Sequence, residues 1–322
     1  MINIHAIREY IAGARFPAGD LPEYAALNDA EREYFDQMGI DAFYDAEGLS
    51  AYDLAHRAAE EVMAQAGVAG DEIDCIIYIR PRIPETFISS EATRLQHALN
   101  ADRALTFALG DLGCVDSTAA LRLAQDILKA NRRARYVLIA YGHRQYSPRR
   151  FRMPVTIQGD GGIAALVGRG EHNTLVDIEI ESNGRYWDLF AMEYRDRTFA
   201  DYIEQVSDPR KYGFELAVES KNRFVDLNTR LLQRNGLAIG EVPHIMMQNI
   251  ARRAFDYYEM ALNCSISPVC KLNLSQYGHL GCADILLNYK TGLDTGMINP
   301  GESVLLMNNS PVAAWSGVLL RA

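Results

Sequence analysis

The chain has 322 residues, 48% of them hydrophobic, and a formal net charge of −10. That size and apolar content suffice for one large domain or two closely packed ones, while the acidic balance argues against a nucleic-acid partner, which needs a clustered basic surface. No run of about 18 apolar residues occurs and charges lie near the N-terminus, so we expect neither a membrane span nor a signal peptide and predict a cytoplasmic protein.

The cysteines indicate neither a disulfide framework nor a metal site. There are five, an odd number, and no two are spaced as Cys-x-x-Cys, the arrangement typical of zinc sites and redox motifs. We therefore expect reduced thiols and no bound metal. The five are Cys75, Cys114, Cys264, Cys270 and Cys282.

The first half of the chain predicts helices alternating with buried strands. Ser50 and Asp53 form a capping-box pattern that begins a helix, and Gly67 ends it. Continuous apolar runs are typical of strands in a sheet covered on both faces, so the pattern predicts an α/β fold. The predicted elements are a helix over 50–66, a strand over 73–79, a helix over about 88–99, a helix after Cys114 and a strand over 135–141.

Cys114 stands just before an amphipathic helix whose apolar residues recur every three to four positions. The unpaired backbone N–H groups and the dipole at a helix start favour a thiolate there. Free cysteine is also among the most buried residue types. The local pattern therefore leaves two interpretations open, a nucleophile or a small core residue.

The second half repeats this order of elements. A helix over about 216–235 is followed by a buried strand over 242–247, and Gly278-His279 precedes a later helix as Gly113-Cys114 precedes one in the first half. We interpret this as a weak internal duplication of elements rather than of identities. The two halves are predicted to cover residues 1–170 and 171–322.

The duplication predicts a meeting point. If the halves pack about a pseudo-two-fold axis, their equivalent helix starts converge, so Cys114 and His279 would come together although 165 residues separate them. His244, at the start of the second-half strand, is expected to face the same point. A single histidine is more often structural, but two at related element ends opposite a cysteine leave a structural role and a site for nucleophilic chemistry equally open.

Six segments of the chain match a family pattern in order and spacing. They are "AGVAGDEIDCIIYI", "LGDLGCVDSTAAL", "IQGDGGIAALVG", "ESNGRYWDL", "VPHIMMQNIA" and "MINPGESVLLMNNSPVAAWSGVLLRA". In these segments the chain resembles the thiolase superfamily, and within it the β-ketoacyl-acyl-carrier-protein synthase III group. The resemblance implies a five-layered αβαβα fold of two pseudo-symmetric halves, usually assembled as a homodimer.

The resemblance also implies roles for individual residues. Cys114 corresponds to the acyl-accepting nucleophile, and His244 to a histidine that moves protons and stabilises the anion formed on decarboxylation. His279 stands where this group usually has asparagine, and "GHLGCA" is similar to the elongating ketosynthases, whose triad is Cys-His-His. Phe87 corresponds to a residue that crosses the dimer interface and shapes the acyl pocket of the second copy.

Other positions depart from the family pattern. Pro311 stands in the loop that lends a backbone N–H to the oxyanion hole, and proline has none, so either Ser310 or Val312 supplies the donor or the chemistry is altered. The charge of Asp116 opposes a Cys114 thiolate unless it faces away or binds a polar substrate group. Residues expected around the substrate pocket are Phe87, Asp116, Ser310 and Met247, the last in place of a motif asparagine.

The leading hypothesis is a ketosynthase III-like acyltransferase of a specialised polyketide or fatty-acid-type pathway. Cys114 would take an acyl group from a thioester and join it to a malonyl-type thioester by decarboxylative Claisen condensation, with His244 and His279 at the carbonyl oxygen. The substrates are expected on acyl carrier protein or CoA, with no further cofactor. The expected partners are an acyl carrier protein and a second copy of the chain.

Two alternatives stay open. The acyl group on Cys114 could pass to a hydroxyl or an amine, with one histidine as general base, which would give an ester or an amide. The chain could instead be a non-catalytic subunit that shapes the pocket of a catalytic paralogue, which predicts no acylation of Cys114. Release of carbon dioxide with a new C–C bond separates condensation from transfer.

Overall fold

Fifteen strands and nine α-helices form the fold in a computed structural model that describes residues 1–322. The strands are β1 (Ile2–Tyr10), β2 (Ala14–Pro17), β3 (Ala42–Asp45), β4 (Ile73–Ile79), β5 (Leu105–Leu109), β6 (Tyr136–His143), β7 (Phe151–Arg152), β8 (Thr156–Ile157), β9 (Gly161–Arg169), β10 (Thr174–Ser182), β11 (Phe190–Ala191), β12 (Gln205–Val206), β13 (His244–Met247), β14 (Ser303–Ser310) and β15 (Ala314–Arg321). The helices are α1 (Pro22–Ala25), α2 (Asp29–Asp36), α3 (Ala51–Ala66), α4 (Glu91–Ala98), α5 (Asp116–Ala130), α6 (Ala217–Gln233), α7 (Arg252–Leu262), α8 (Pro268–Tyr277) and α9 (Asp284–Asp294). None of the helices is both long enough and apolar enough to cross a membrane.

Two sheet units make up the main sheet, and four strands of each follow the same order while the first unit has β5 in addition. The order is β1-β9-β6-β4-β5 in the first half and β10-β15-β14-β13 in the second, and the pair Asn3–Thr174 joins them. β4 and β6 are parallel, as are β13 and β14, and an antiparallel strand follows in each unit. The duplication expected from the sequence is therefore confirmed as a repeat of whole sheet units.

The helices arrange these two units into five layers. α3 and α4 cover the outer face of the first unit, and α6 covers the outer face of the second. α5 and α9 lie between the units and pack on strands of both halves, within the larger of the two buried apolar clusters. This is the five-layered α/β architecture that the sequence predicted.

Local sequence signals place most element ends correctly. α3 begins after Ser50, which forms the capping box with Asp53, and ends at Gly67 in the left-handed conformation. The predicted helix over 88–99 is shorter than expected, because Ser90 caps α4 by accepting a hydrogen bond from the backbone N–H of Thr93.

The repeat has a different register from the one predicted. The segment Gly110–Asp116 is GDLGCVD and Gly278–Asp284 is GHLGCAD, identical at Gly, Leu, Gly, Cys and Asp. Each ends in a 3-10 turn followed by a central helix, with Gly113 at φ +61° and Gly281 at φ +60°. Equating Gly278-His279 with Gly113-Cys114 was therefore wrong by three residues. The true counterpart of Cys114 is Cys282.

Helix α3 lies so close to the first sheet unit that two strand positions admit only glycine. A Cβ on Gly162 would lie 2.1 Å from the Leu54 carbonyl oxygen, and one on Gly142 would lie 1.8 Å from that of Ala51. Both obstacles are backbone atoms, which cannot rotate away. The side chain of any other residue would therefore displace the helix.

We expect Gly162→Ala to lower the free energy of unfolding by about 1–3 kcal/mol or more, because α3 must move off the sheet. Urea denaturation measures the change. Gly240→Ala is the matched control, since a Cβ there meets no atom within 4 Å, and its unfolding free energy should stay within about 0.5 kcal/mol of the wild type. Equal destabilisation by both substitutions would contradict the close contact.

Candidate active site

Cys114 lies in the turn between β5 and α5, where the two halves meet. Its carbonyl oxygen accepts a hydrogen bond of 2.6 Å from Asn308 Nδ2 on β14, so the second half holds the turn in place. The side chain is half-buried, and its Sγ lies 3.5 Å from His279 Nε2. The predicted meeting of Cys114 and His279 is confirmed.

A buried carboxylate orients His279. Asp284 Oδ2 accepts a hydrogen bond of 2.7 Å from His279 Nδ1 and one of 2.8 Å from the backbone N–H of Asn249. Asp284 Oδ1 accepts from the backbone N–H of Leu280 at 2.8 Å. A proton on Nδ1 directs the opposite ring nitrogen, Nε2, at Cys114, so the three side chains form a Cys-His-Asp line.

The surroundings of His279 favour its charged form. Burial alone would lower the pKa of the imidazole, but the Asp284 carboxylate and the Cys114 sulfur raise it to about 10. At neutral pH the ring is therefore an imidazolium next to the sulfur. A thiolate is the reactive form of cysteine, and a neighbouring imidazolium stabilises it.

His244 does not reach this site, and the expectation that it would face Cys114 was wrong. It lies at the start of β13 opposite Val304, and its Nε2 pairs with Glu302 Oε2 at 2.8 Å. The turn of Cys114 contacts β14 at Asn308, four residues further along, which is roughly 13 Å of strand. The sequence motif placed the histidine at the wrong end of its strand.

A different histidine, His143, lies next to His279. It ends β6, and its ring centroid is 6.0 Å from that of His279. Its Nδ1 bonds the Gly159 carbonyl oxygen at 2.7 Å, and because a carbonyl only accepts, Nδ1 carries the proton. Burial and the neighbouring His279 lower the His143 pKa to about 4. The ring is therefore neutral, with Nε2 unprotonated.

Asp116 faces the cavity of Cys114 but also has a structural task. Its Oδ1 accepts a hydrogen bond of 3.1 Å from the backbone N–H of Leu112, just as Asp284 accepts from Leu280. Burial raises the pKa of the Asp116 carboxyl to about 6. In the first half the position equivalent to His279 is Asp111, so the Asp116 carboxyl has no imidazole as a hydrogen-bond partner.

Cys282 occupies the same position in the second turn as Cys114 does in the first. Cys282 is buried, whereas Cys114 is partly exposed. Its Sγ donates a hydrogen bond of 3.1 Å to the Gly113 carbonyl oxygen. Complete burial raises the pKa of this thiol well above its usual range. Of the two equivalent cysteines, only Cys114 is therefore suited to be a nucleophile.

The remaining predicted pocket residues have different places. Met247 is fully buried on β13 opposite Met307, in the core rather than at the cavity, so its assignment to the pocket was wrong. Ser310 is buried against Gly113, and its hydroxyl has no hydrogen-bond partner. Pro311 lines the cavity of Cys114. Phe87 is exposed and lines a neighbouring cavity.

Two adjoining cavities open beside Cys114. A narrow one of about 60 Å³ contains Cys114, His143 and His279. A wider one of about 240 Å³ is mostly apolar and is lined by Phe87 and the β11 region. Arg82 and Tyr146 border both, so the two cavities are neighbours. Sequence reasoning missed His143 and Asp284; the repeated Leu-Gly-Cys-x-Asp motif was the signal that marks Asp284.

Comparisons with known proteins agree with this architecture. The β-ketoacyl-[acyl-carrier-protein] synthase III of Sodalis glossinidius is 26% identical over 272 residues, covering 83% of each chain. The 3-oxoacyl-(acyl carrier protein) synthase III of Pseudomonas aeruginosa PAO1 superposes with a TM-score of 0.83 at 20% identity, over 99% of this chain and 98% of that one.

A third similarity is to ChlB3, described as an acyltransferase, with a TM-score of 0.84 at 18% identity over 100% of this chain and 97% of that one. No protein-family model matches the chain. The chain is similar in sequence to β-ketoacyl-[acyl-carrier-protein] synthase III enzymes over most of its length and has the fold of the synthase III structures.

Proposed function

We propose that this enzyme transfers an acyl group from a thioester donor, through a thioester on Cys114, to a hydroxyl or amine acceptor. The Cys114–His279–Asp284 line carries the proposal. A nucleophile, a base and a carboxylate that orients the base are the arrangement used for acyl transfer on many unrelated folds. The names of the curated relatives support an acyl carrier protein as the source of the donor.

The first half-reaction loads the enzyme. Cys114 Sγ attacks the carbonyl carbon of the donor thioester, a new C–S bond forms, and the donor C–S bond breaks. The departing thiolate takes the proton from His279 Nε2. Because the Cys114 sulfur is one of the groups that raise the His279 pKa, its conversion to an uncharged thioester makes the imidazole easier to keep neutral.

The second half-reaction uses the neutral imidazole. The acceptor oxygen or nitrogen attacks the Cys114 thioester, its proton passes to His279 Nε2, and Sγ leaves as a thiolate. Asp284 stabilises the imidazolium that forms again. The site thus returns to its starting charge state without a further cofactor.

The neighbouring histidine favours transfer over decarboxylative condensation. Condensation needs donors that stabilise an enolate oxygen, and the sequence assigned that task to His244 and His279. His244 pairs with Glu302 elsewhere, and His143 presents an unprotonated Nε2, which accepts a hydrogen bond rather than donating one. An acceptor hydroxyl or amine is the kind of group that such a nitrogen binds.

The homodimer implied by the resemblance stays a prediction. Phe87 and Ile88 are highly exposed in the single chain, as expected of side chains that a second copy would cover. β5, whose Leu105 is also exposed, forms the free edge of the first sheet unit.

Acylation is tested by intact mass after incubation with acyl-carrier-protein and acyl-CoA donors. We expect wild type to gain one acyl group and Cys114→Ala to gain none, because Cys114 is the only accessible thiol of the site. Cys282→Ala is the matched control: it removes the equivalent cysteine of the other half and should still be acylated. If no donor loads the wild type, the enzyme does not act through an acyl-Cys114.

The product separates transfer from condensation. With a malonyl donor and a panel of alcohols and amines, we expect an ester or amide and no release of labelled carbon dioxide. His279→Asn removes the base and should slow transfer by roughly 10²–10⁴-fold. Carbon dioxide release with a new C–C bond, retained in His279→Asn, would instead establish the condensation hypothesis.

The pH dependence tests the role of Asp284. The wild-type imidazolium persists up to a pKa of about 10, so loading of Cys114 should decline only above that pH. In Asp284→Asn the carboxylate that raises this pKa is lost, and we expect the alkaline limit to move to lower pH. Asp116→Asn removes the equivalent carboxylate, which has no histidine partner, and should leave the limit in place. An unmoved limit in Asp284→Asn would contradict the assignment.

A further inference from the structure

The narrow cavity of Cys114 is strongly cationic although the chain as a whole is acidic. Arginine is the commonest side chain in its lining, and Asp116 is the only acidic residue there. The four arginines are Arg80, Arg82, Arg144 and Arg152. An excess of fixed positive charge in a small cavity attracts an anionic ligand.

Two of these arginines have no carboxylate partner in the chain. Arg152 pairs with Glu204, and Arg80 lies 3.7 Å from Asp111. Arg144 donates only to the Leu49 carbonyl oxygen, and Arg82 makes neither an ion pair nor a hydrogen bond within the chain. The charge of Arg82 is therefore available to a substrate.

Arg82 is also the arginine placed against the nucleophile. A Cβ built on Gly113 would lie 3.5 Å from Arg82 Nη2, so the guanidinium lies next to the residue that precedes Cys114. Arg82 borders both the narrow cavity and the wider apolar one. An acyl group on Sγ would have its first few carbons within reach of this guanidinium.

We infer that the acyl group carried by Cys114 bears a free carboxylate, and that Arg82 binds that carboxylate as a specificity-determining residue. This rests on the acyl transfer proposed above and names its donor class, a dicarboxylic acyl thioester such as a malonyl or succinyl group. A planar guanidinium binds a carboxylate through two parallel N–H···O bonds. Arg144 adds positive charge at the same rim.

The phosphate of a phosphopantetheine arm is the other anion that this charge could meet. That phosphate is separated from the thioester sulfur by the whole length of the arm. Arg82 lies beside Cys114, where the acyl carbons and the sulfur must be. The position therefore favours a carboxylate on the acyl chain, and the experiment distinguishes the two sources.

The test compares malonyl and acetoacetyl thioesters, which have nearly the same shape but differ in the terminal carboxylate. Each is supplied on pantetheine and on 4′-phosphopantetheine, and loading of Cys114 is followed by intact mass over time. We expect malonyl to load at least about tenfold faster than acetoacetyl on both carriers, as a charged hydrogen-bonded pair provides.

Three variants locate the preference. Arg82→Gln should lower malonyl loading by roughly ten- to hundredfold and leave acetoacetyl loading nearly unchanged, and Arg82→Lys, which keeps the charge without the planar fork, should fall between. Arg57→Gln is the control, since Arg57 is exposed on α3 and pairs with Glu60. It should behave as wild type with every donor.

The other outcomes are decisive as well. Equal loading of malonyl and acetoacetyl, or an equal loss of both in Arg82→Gln, overturns the inference while leaving acyl transfer through Cys114 intact. A loss confined to the phosphopantetheine donors, for both acyl groups alike, shows that Arg82 binds the phosphate and also overturns it. If no thioester of any kind loads Cys114, the proposed function fails and the inference with it.

Discussion

The hydrogen bond between Asp284 and His279 is the interaction on which the site depends. One fully buried carboxylate accepts from His279 Nδ1, from the backbone N–H of Leu280 and from that of Asn249. The same group therefore closes the turn before α9 and fixes the ring that faces Cys114. Removing one partner of a buried charged network leaves the others unsatisfied. The orientation of the imidazole is therefore coupled to the backbone hydrogen bonds that Asp284 accepts from Leu280 and Asn249.

The two halves use one turn for two purposes. Asp116 and Asp284 both bind the leucine N–H that begins the turn, so this contact is the structural part of the repeat. The two turns differ at two positions. His279 in the second turn is replaced by Asp111 in the first, and the buried Cys282 donates to a carbonyl oxygen whereas Cys114 is half-buried and approaches His279. The presence of Asp116 beside Cys114 follows from the repeat, because the main contact of this carboxylate is with the turn itself.

Local sequence signals predicted the features that depend on short-range interactions, namely the helix caps and the buried strands. The capping box at Ser50 and the apolar run 73–79 fix their elements within one or two residues, and the duplication brought Cys114 and His279 together. His244 was misplaced because a motif match does not say which end of a parallel strand adjoins the site. His143 was missed because its chemistry arises from the neighbours that tertiary packing supplies, whereas Asp284 is marked in the sequence by the repeated Leu-Gly-Cys-x-Asp motif.

The distribution of charge links the fold to the substrate. The chain has a net charge of −10, so its cationic cavity is a local property built from arginines near the carboxyl end of β4 and after β6. The half-buried Glu204 neutralises Arg152, and the charge of Arg82 next to Gly113 has no such partner. Arg82 and Arg144 are exposed at the mouth of this cavity and have no carboxylate partner, as the binding of a carboxylate substrate beside Cys114 would require.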